Sequence, residues 1–155
     1  MRGGGAVGAA VDDPPAAFST PLCAASWNGR YKMVALLLAS GANVNKLDSS
    51  GFSPLIGAAS CGRCAVAELL LAHGAEFDGE TPNGSTPLYM ACNGGHIQLA
   101  ALLLGLGARV DARGIDGQTP LMAACVEGHH DVAVLLLSKG GSRRAGRAAP
   151  VATRW

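Results

Sequence analysis

Four times along the chain, hydrophobic residues fall at i, i+3 and i+4: Met33/Leu36/Leu37, Val66/Leu69/Leu70, Leu99/Leu102/Leu103 and Val132/Leu135/Leu136. That spacing lays one apolar stripe along one side of a helix. Each stretch is bracketed by glycines, Gly29 and Gly41, Gly62 and Gly74, Gly95 and Gly107, Gly128 and Gly140. Ahead of each first glycine stands a shorter Ala-rich segment: Leu22 to Ser26, Leu55 to Ala59, Leu88 to Cys92 and Leu121 to Cys125. Pro21, Pro54, Pro87 and Pro120 lead into these segments, and proline suits a first helical turn because the N–H groups there lack partners anyway. Each unit is therefore predicted to be a helix, a glycine turn, a second helix and a glycine stop. After the stops come Val44-Asn45, Phe77-Asp78 and Val110-Asp111, then polar, turn-rich residues ending at Gly51, Gly84 and Gly117. These read as fingers, short β-hairpins projecting from the helices.

The units recur every 33 residues without a slip, as Thr20-Pro21-Leu22, Ser53-Pro54-Leu55, Thr86-Pro87-Leu88 and Thr119-Pro120-Leu121 show. One pair of helices cannot bury its leucine stripe alone, so the units must stack, and four exceed the ~3 repeats a solenoid needs. The expected organisation is an all-α solenoid over 18–142, with repeats at about 18–50, 51–83, 84–116 and 117–142. Residues 1–17 and 143–155 carry no periodicity and are expected to be flexible tails, the second one basic. Neither end shows a polar capping repeat. The outer faces of repeats 1 and 4 are then expected to be partly exposed, which implies marginal stability, self-association or membership of a longer array.

The stretches TPLMAACVEGHHDVAVLLLSKG (119–140) and STPLCAASWNGRYKMVALLLASGANVN (19–45) resemble the ankyrin repeat, and the resemblance spans about residues 18–142 in four tandem copies. Two departures stand out. The His that usually follows TPL is replaced by Cys23, Ile56, Tyr89 and Met122, and the His after the turn glycine survives as His96 and His129, with Arg30 and Arg63 in its place elsewhere. These changes put local hydrogen bonding in question, not the fold. The resemblance implies a non-enzymatic scaffold or adaptor that binds a partner protein in a groove formed by the finger tips and the exposed face of each first helix. Carried over by position, the groove is lined by Trp27 and Asn28; Ser49, Ser50, Phe52, Ser60 and Cys61; Pro82, Asn83, Ser85, Asn93 and Gly94; Ile115, Asp116, Gln118, Val126 and Glu127. Trp27 and Phe52 are the expected anchors, since aromatics at such sites carry much of a binding energy. The alternative for Trp27 is an edge residue covering the first repeat.

Composition narrows the remaining possibilities. Hydrophobic residues make up 49% of the chain but aromatics 5%, so the core must be built from Ala, Leu and Val, which suits closely packed helices. A net charge of +1 gives no field to gather nucleic acid or a membrane surface. Five positive residues, Lys139, Arg143, Arg144, Arg147 and Arg154, follow the last acid, Asp131. Without interleaved aromatics, they read as a solvated end rather than a nucleic-acid arm. Five cysteines are an odd number, which argues against a disulfide framework and for a reducing compartment, cytoplasmic or nuclear. No secretory leader or membrane-spanning run is apparent.

Other candidate chemistry is thin. Gly3 to Gly8 formally fits GxGxxG, but lacks the strand and helix a dinucleotide site needs. His96, His129 and His130 follow the repeat rather than converging with a nucleophile and an acid, so no catalytic residue, metal or other cofactor is expected. Asn83-Gly84-Ser85 matches a glycosylation sequon and reads instead as a tight turn. Cys92 and Cys125 replace the second Ala of an Ala-Ala pair and are expected to fill the core, with Cys23 half-buried. The exception is Ser60-Cys61-Gly62-Arg63-Cys64, whose spacing is that of a dithiol or half a zinc site. Gly62 is the repeat's turn glycine, while the two cysteines are unexplained by the repeat. A thiol redox or zinc-binding protein built on Cys61 and Cys64 is therefore the rival from another class. A third reading is the targeting segment of a larger enzyme or channel.

Overall fold

The computed structural model describes residues 19–140. Its order is α1 (Pro21–Trp27), α2 (Tyr31–Ala39), α3 (Pro54–Ser60), α4 (Cys64–Ala72), α5 (Pro87–Asn93), α6 (Ile97–Gly105), a 3-10 turn (Ile115–Gly117), α7 (Pro120–Glu127) and α8 (His130–Ser138). These are four stacked helix pairs, and the start of each first helix has a local cause. The Thr20, Ser53, Thr86 and Thr119 hydroxyls accept from the backbone N–H of Cys23 (3.0 Å), Ile56 (3.1 Å), Tyr89 (3.1 Å) and Met122 (3.2 Å). Each is a side-chain N-cap followed by proline. Such caps are worth about 1 kcal/mol each, which matters for first helices only seven or eight residues long that could not persist alone.

Stacking buries the stripe as expected in repeats 2, 3 and 4, where Val66, Leu99 and Val132 are 2%, 1% and 1% exposed. Repeat 1 differs. Met33 is 48% exposed and Leu36 58%, because among the described residues no repeat precedes α2 to cover that side. Between the first helices the core is nearly all small: Ala58, Ala59, Ala91, Cys92 and Ala124 have no accessible surface. Small side chains let those helices approach, and the first helices pack more closely against one another than the second helices do. The array therefore curves toward the first helices, making theirs the concave side.

The fingers depart from the hairpin expectation. No strand occurs among the described residues; the fingers are tight turns closed by a few backbone bonds, Asp48 N–H to Phe52 O, Thr81 N–H to Ser85 O and Gly114 N–H to Gln118 O. They are too short for a ladder and lean on the next repeat instead. The Asn45 side chain accepts from Glu76 N–H at 2.9 Å and donates to Gly74 O at 3.3 Å. Arg109, in the next finger but one, reaches back to Asp78 at 2.6 Å and Glu80 at 2.7 Å.

Repeats are locked at the helix turns as well. The side chain of the residue after the turn glycine reaches back 36 residues to a carbonyl of the previous repeat: Arg63 Nε to Trp27 O at 3.3 Å, His96 Nε2 to Ser60 O at 3.2 Å, His129 Nε2 to Asn93 O at 3.0 Å. The turn glycine of the earlier repeat makes the space. A Cβ on Gly29 would sit 2.8 Å from Arg63 Cδ, one on Gly95 2.7 Å from His129 Nδ1, and one on Gly62 would strike the His96 ring, all from backbones at φ near +70 to +77. Arg63 thus supplies by its Nε what His supplies elsewhere. At the other variable position, the Tyr89 hydroxyl donates to Gln118 Oε1 at 3.1 Å and the Cys23 thiol to Phe52 O at 3.5 Å, while Ile56 fills its place by packing alone, fully buried.

Two stability predictions follow from the register. Gly62→Ala should destabilise more than Gly128→Ala, by about 1–2 kcal/mol. Both put a side chain in the left-handed region, but only at Gly62 does it displace a locked ring, since Gly128 has nothing within 4 Å; denaturant melts of the dilute proteins measure the difference. Ser26, the counterpart of Ala59, is fully buried with an unpartnered hydroxyl. Ser26→Ala should raise stability by about 1 kcal/mol in the same melts.

Candidate functional site

The concave side presents one residue per repeat from the end of each first helix, Trp27, Ser60, Asn93 and Val126, and beside them Asn28, Cys61, Gly94 and Glu127. The ends of this row are apolar and open, with Trp27 40% and Val126 69% exposed, and Asn93 between them is exposed too. The carbonyls of Ser60 and Asn93 already accept the His96 and His129 bonds, so the middle of the row is held rigidly by the same contacts that hold the repeats together.

At the repeat 1 end the Trp27 ring meets Phe52 at a centroid distance of 5.9 Å and a tilt of 55°. It also lies over Gly57, where a Cβ would come within 2.8 Å of the ring. Trp27 therefore has two roles: one face covers repeat 2 and the other is open. Phe52 is half-buried and supports the tryptophan rather than standing free. A shallow cleft of about 330 Å³ runs beside them, lined by Ser19, Cys23, Ala24, Trp27, Asn28 and Asp48. Asp48 shapes its finger by accepting from Ser50 N–H at 2.8 Å and Phe52 N–H at 3.0 Å.

The finger residues of the expected groove divide. Ser49, Ser50, Pro82, Asn83, Ile115 and Asp116 are exposed tips, Asp116 in the left-handed region at φ 57. Ser85 is not a groove residue: it is 2% exposed, because its N–H donates to Thr81 Oγ1 at 3.0 Å and its hydroxyl to Asn83 Oδ1 at 3.2 Å, folding it under the finger. The same turn absorbs the Asn-Gly-Ser sequence. Gln118 is half-buried and committed to Tyr89.

The cysteines are placed by the repeat. Cys61 caps the end of α3 and Cys64 opens α4, and both are half-buried. Burial, with a contribution from Glu68, pushes the Cys64 thiol up, the opposite of an activated thiolate. Among the described residues no cluster of three His, Cys, Asp or Glu could hold a metal ion. Cys23 and Cys92 are buried, and burial raises both thiols, Cys92 to about 12. Cys125 does not fill the core: it is exposed, although its counterparts Ser26, Ala59 and Cys92 are all buried, because nothing described packs beyond repeat 4. No described helix is long and apolar enough to cross a membrane.

Comparison with known proteins agrees with this architecture. The family described as ankyrin repeats (3 copies) matches residues 7–81 and again 73–144. The chain belongs to the ankyrin-repeat family, whose repeats are generally protein–protein interaction modules. No curated protein matches the chain.

The Cys92 thiol gives a pH prediction. Its proton is held more tightly in the folded protein than in the unfolded chain, so the associated stability is complete below pH 9 and is lost as pH rises toward about 12. Stability should fall over that range in equilibrium melts, and less steeply in Cys92→Ala, which restores the alanine of repeat 2.

Proposed function

We propose that the chain is a scaffold or adaptor without enzymatic activity of its own, docking a partner protein on the concave row from Trp27 to Val126 and on the adjoining finger tips. The observation that carries this is the row itself: two exposed apolar ends around a polar middle, with the backbone fixed by inter-repeat bonds. A surface built this way needs little ordering on binding, so more of the contact energy appears as affinity. The apolar ends favour a partner with two hydrophobic side chains spaced along an extended or helical segment. The five cysteines suit a reducing, intracellular setting, cytoplasmic or nuclear.

The test is affinity capture from the native cell with the intact chain immobilised. Trp27→Ala and Val126→Asp should each weaken capture of the same partner by roughly thirty-fold, the equivalent of about 2 kcal/mol for an anchor residue. Gln98→Ala, on a second helix, should leave it unchanged. Melts of each variant separate lost contact from lost folding. A partner that binds both concave variants normally and is lost with Gln98→Ala would place the interface on the other side of the array.

A further inference from the structure

We propose that the two ends of the array fit one another, so that the chain stacks head to tail with further copies of itself, the α2 side of repeat 1 in one copy against the α7–α8 side of repeat 4 in the next. The internal interfaces supply the template. Each is made where a residue after the turn glycine crosses the preceding repeat's glycine and donates to its carbonyl. In repeat 1 that residue is Arg30, which is exposed and is of the same type as Arg63, which makes the bond between repeats 1 and 2. In repeat 4 the receiving glycine is Gly128, at φ 78, close to the +70, +71 and +77 of Gly29, Gly62 and Gly95. Those three are filled by the next repeat's side chain, whereas Gly128 has nothing within 4 Å.

The space at Gly128 continues into a shallow, open cleft. A cleft of about 250 Å³ is lined by Ala124, Cys125, Gly128, His129, His130 and Ala133. Advancing the internal register by one repeat places Arg30 of a second copy over Gly128 with its guanidinium at the Val126 carbonyl, the counterpart of the Trp27, Ser60 and Asn93 carbonyls.

The apolar surfaces around this contact are the ones every internal interface covers. On one end Met33 is open where Val66, Leu99 and Val132 are buried, and Leu36 is open where Leu69, Leu102 and Leu135 are half-buried against the core. On the other Cys125 is exposed and Met122 half-buried, where Ser26, Ala59 and Cys92, and Cys23, Ile56 and Tyr89, are buried. Because the two surfaces differ, the contact is heterologous and does not close at two copies; each added copy leaves one end of each kind free.

Analytical ultracentrifugation of the intact chain over a concentration series tests this. The average mass should climb past that of two chains. Leu36→Glu and Cys125→Glu, each at an exposed position and each checked for native melting, should both remain single chains when alone. Mixed in equal amounts they should form pairs and nothing larger, since one retains the repeat 4 end and the other the repeat 1 end. Arg30→Glu should lower the association at least ten-fold. In the parent protein, alkylation of Cys125, followed by peptide mass, should slow as concentration rises while that of Cys61 does not. A chain that stays single at every concentration overturns the proposal. So does normal assembly of either single variant, which would mean a symmetric or groove-mediated contact. Protection of Cys125 at the lowest concentration would equally overturn it, since the recess would then be covered from within the same chain.

Discussion

Everything in this protein depends on how one repeat grips the last. Arg63, His96 and His129 cross a glycine and bond to a carbonyl 36 residues earlier. The contact couples three requirements: a left-handed turn between helices, a missing side chain at that turn, and a long donor-bearing side chain one repeat later. The turn glycine is needed twice over, once for its backbone and once for the neighbour it admits. Helices of seven to nine residues would not survive without such cooperation, because nucleation is costly and their stripes are half-exposed in isolation. The concave row is fixed by the same bonds, since the acceptor carbonyls belong to Trp27, Ser60 and Asn93 themselves.

The interfaces are similar in plan and different in material. Between repeats 1 and 2 the supporting contacts are aromatic and amide, Trp27 on Phe52 and Asn45 on the Glu76 and Gly74 backbone. Between repeats 2 and 3 they are ionic: Arg109 bridges Asp78 and Glu80, and the hydrogen bonds it donates to Glu80 and then to Asp78 raise its already high pKa further. These pairs are largely exposed, so they position the fingers more than they stabilise the fold. Between repeats 3 and 4 the contact is Tyr89 to Gln118, with the tyrosine ring packed on Gly114.

The helices, the prolines that open the first of each pair and the turn glycines were legible because a strict period repeats each local signal four times. The period could not say which copies have neighbours. Met33 and Leu36 carry the same pattern as Val66 and Leu69, yet lie open because cover comes from the preceding repeat. Cys125 looks like Cys92 in sequence and differs for the matching reason at the other end. Exposure was legible in the helical part of the row, Trp27, Asn93 and Val126, where helix phase decides it. It was less so in the fingers, where Ser85 folds under through two short-range bonds that leave no periodic trace. The substitution of Arg for His at position 63 looked like a lost contact and is a retained one, because either side chain offers an N–H at the needed reach.

Four repeats also set a limit on tolerance. In a linear stack, each unit is supported by neighbours alone, so either end interface of the four described repeats can open and still leave three joined, near the ~3 that a stable array requires. The interface between repeats 2 and 3 has no such reserve: opening it leaves two fragments, each below that size. The His96 bond to Ser60 and the Arg109 bridge therefore stand at the one seam whose failure divides the molecule into parts that cannot persist separately. Unfolding that begins at either end can stall, while unfolding that begins in the middle runs to completion.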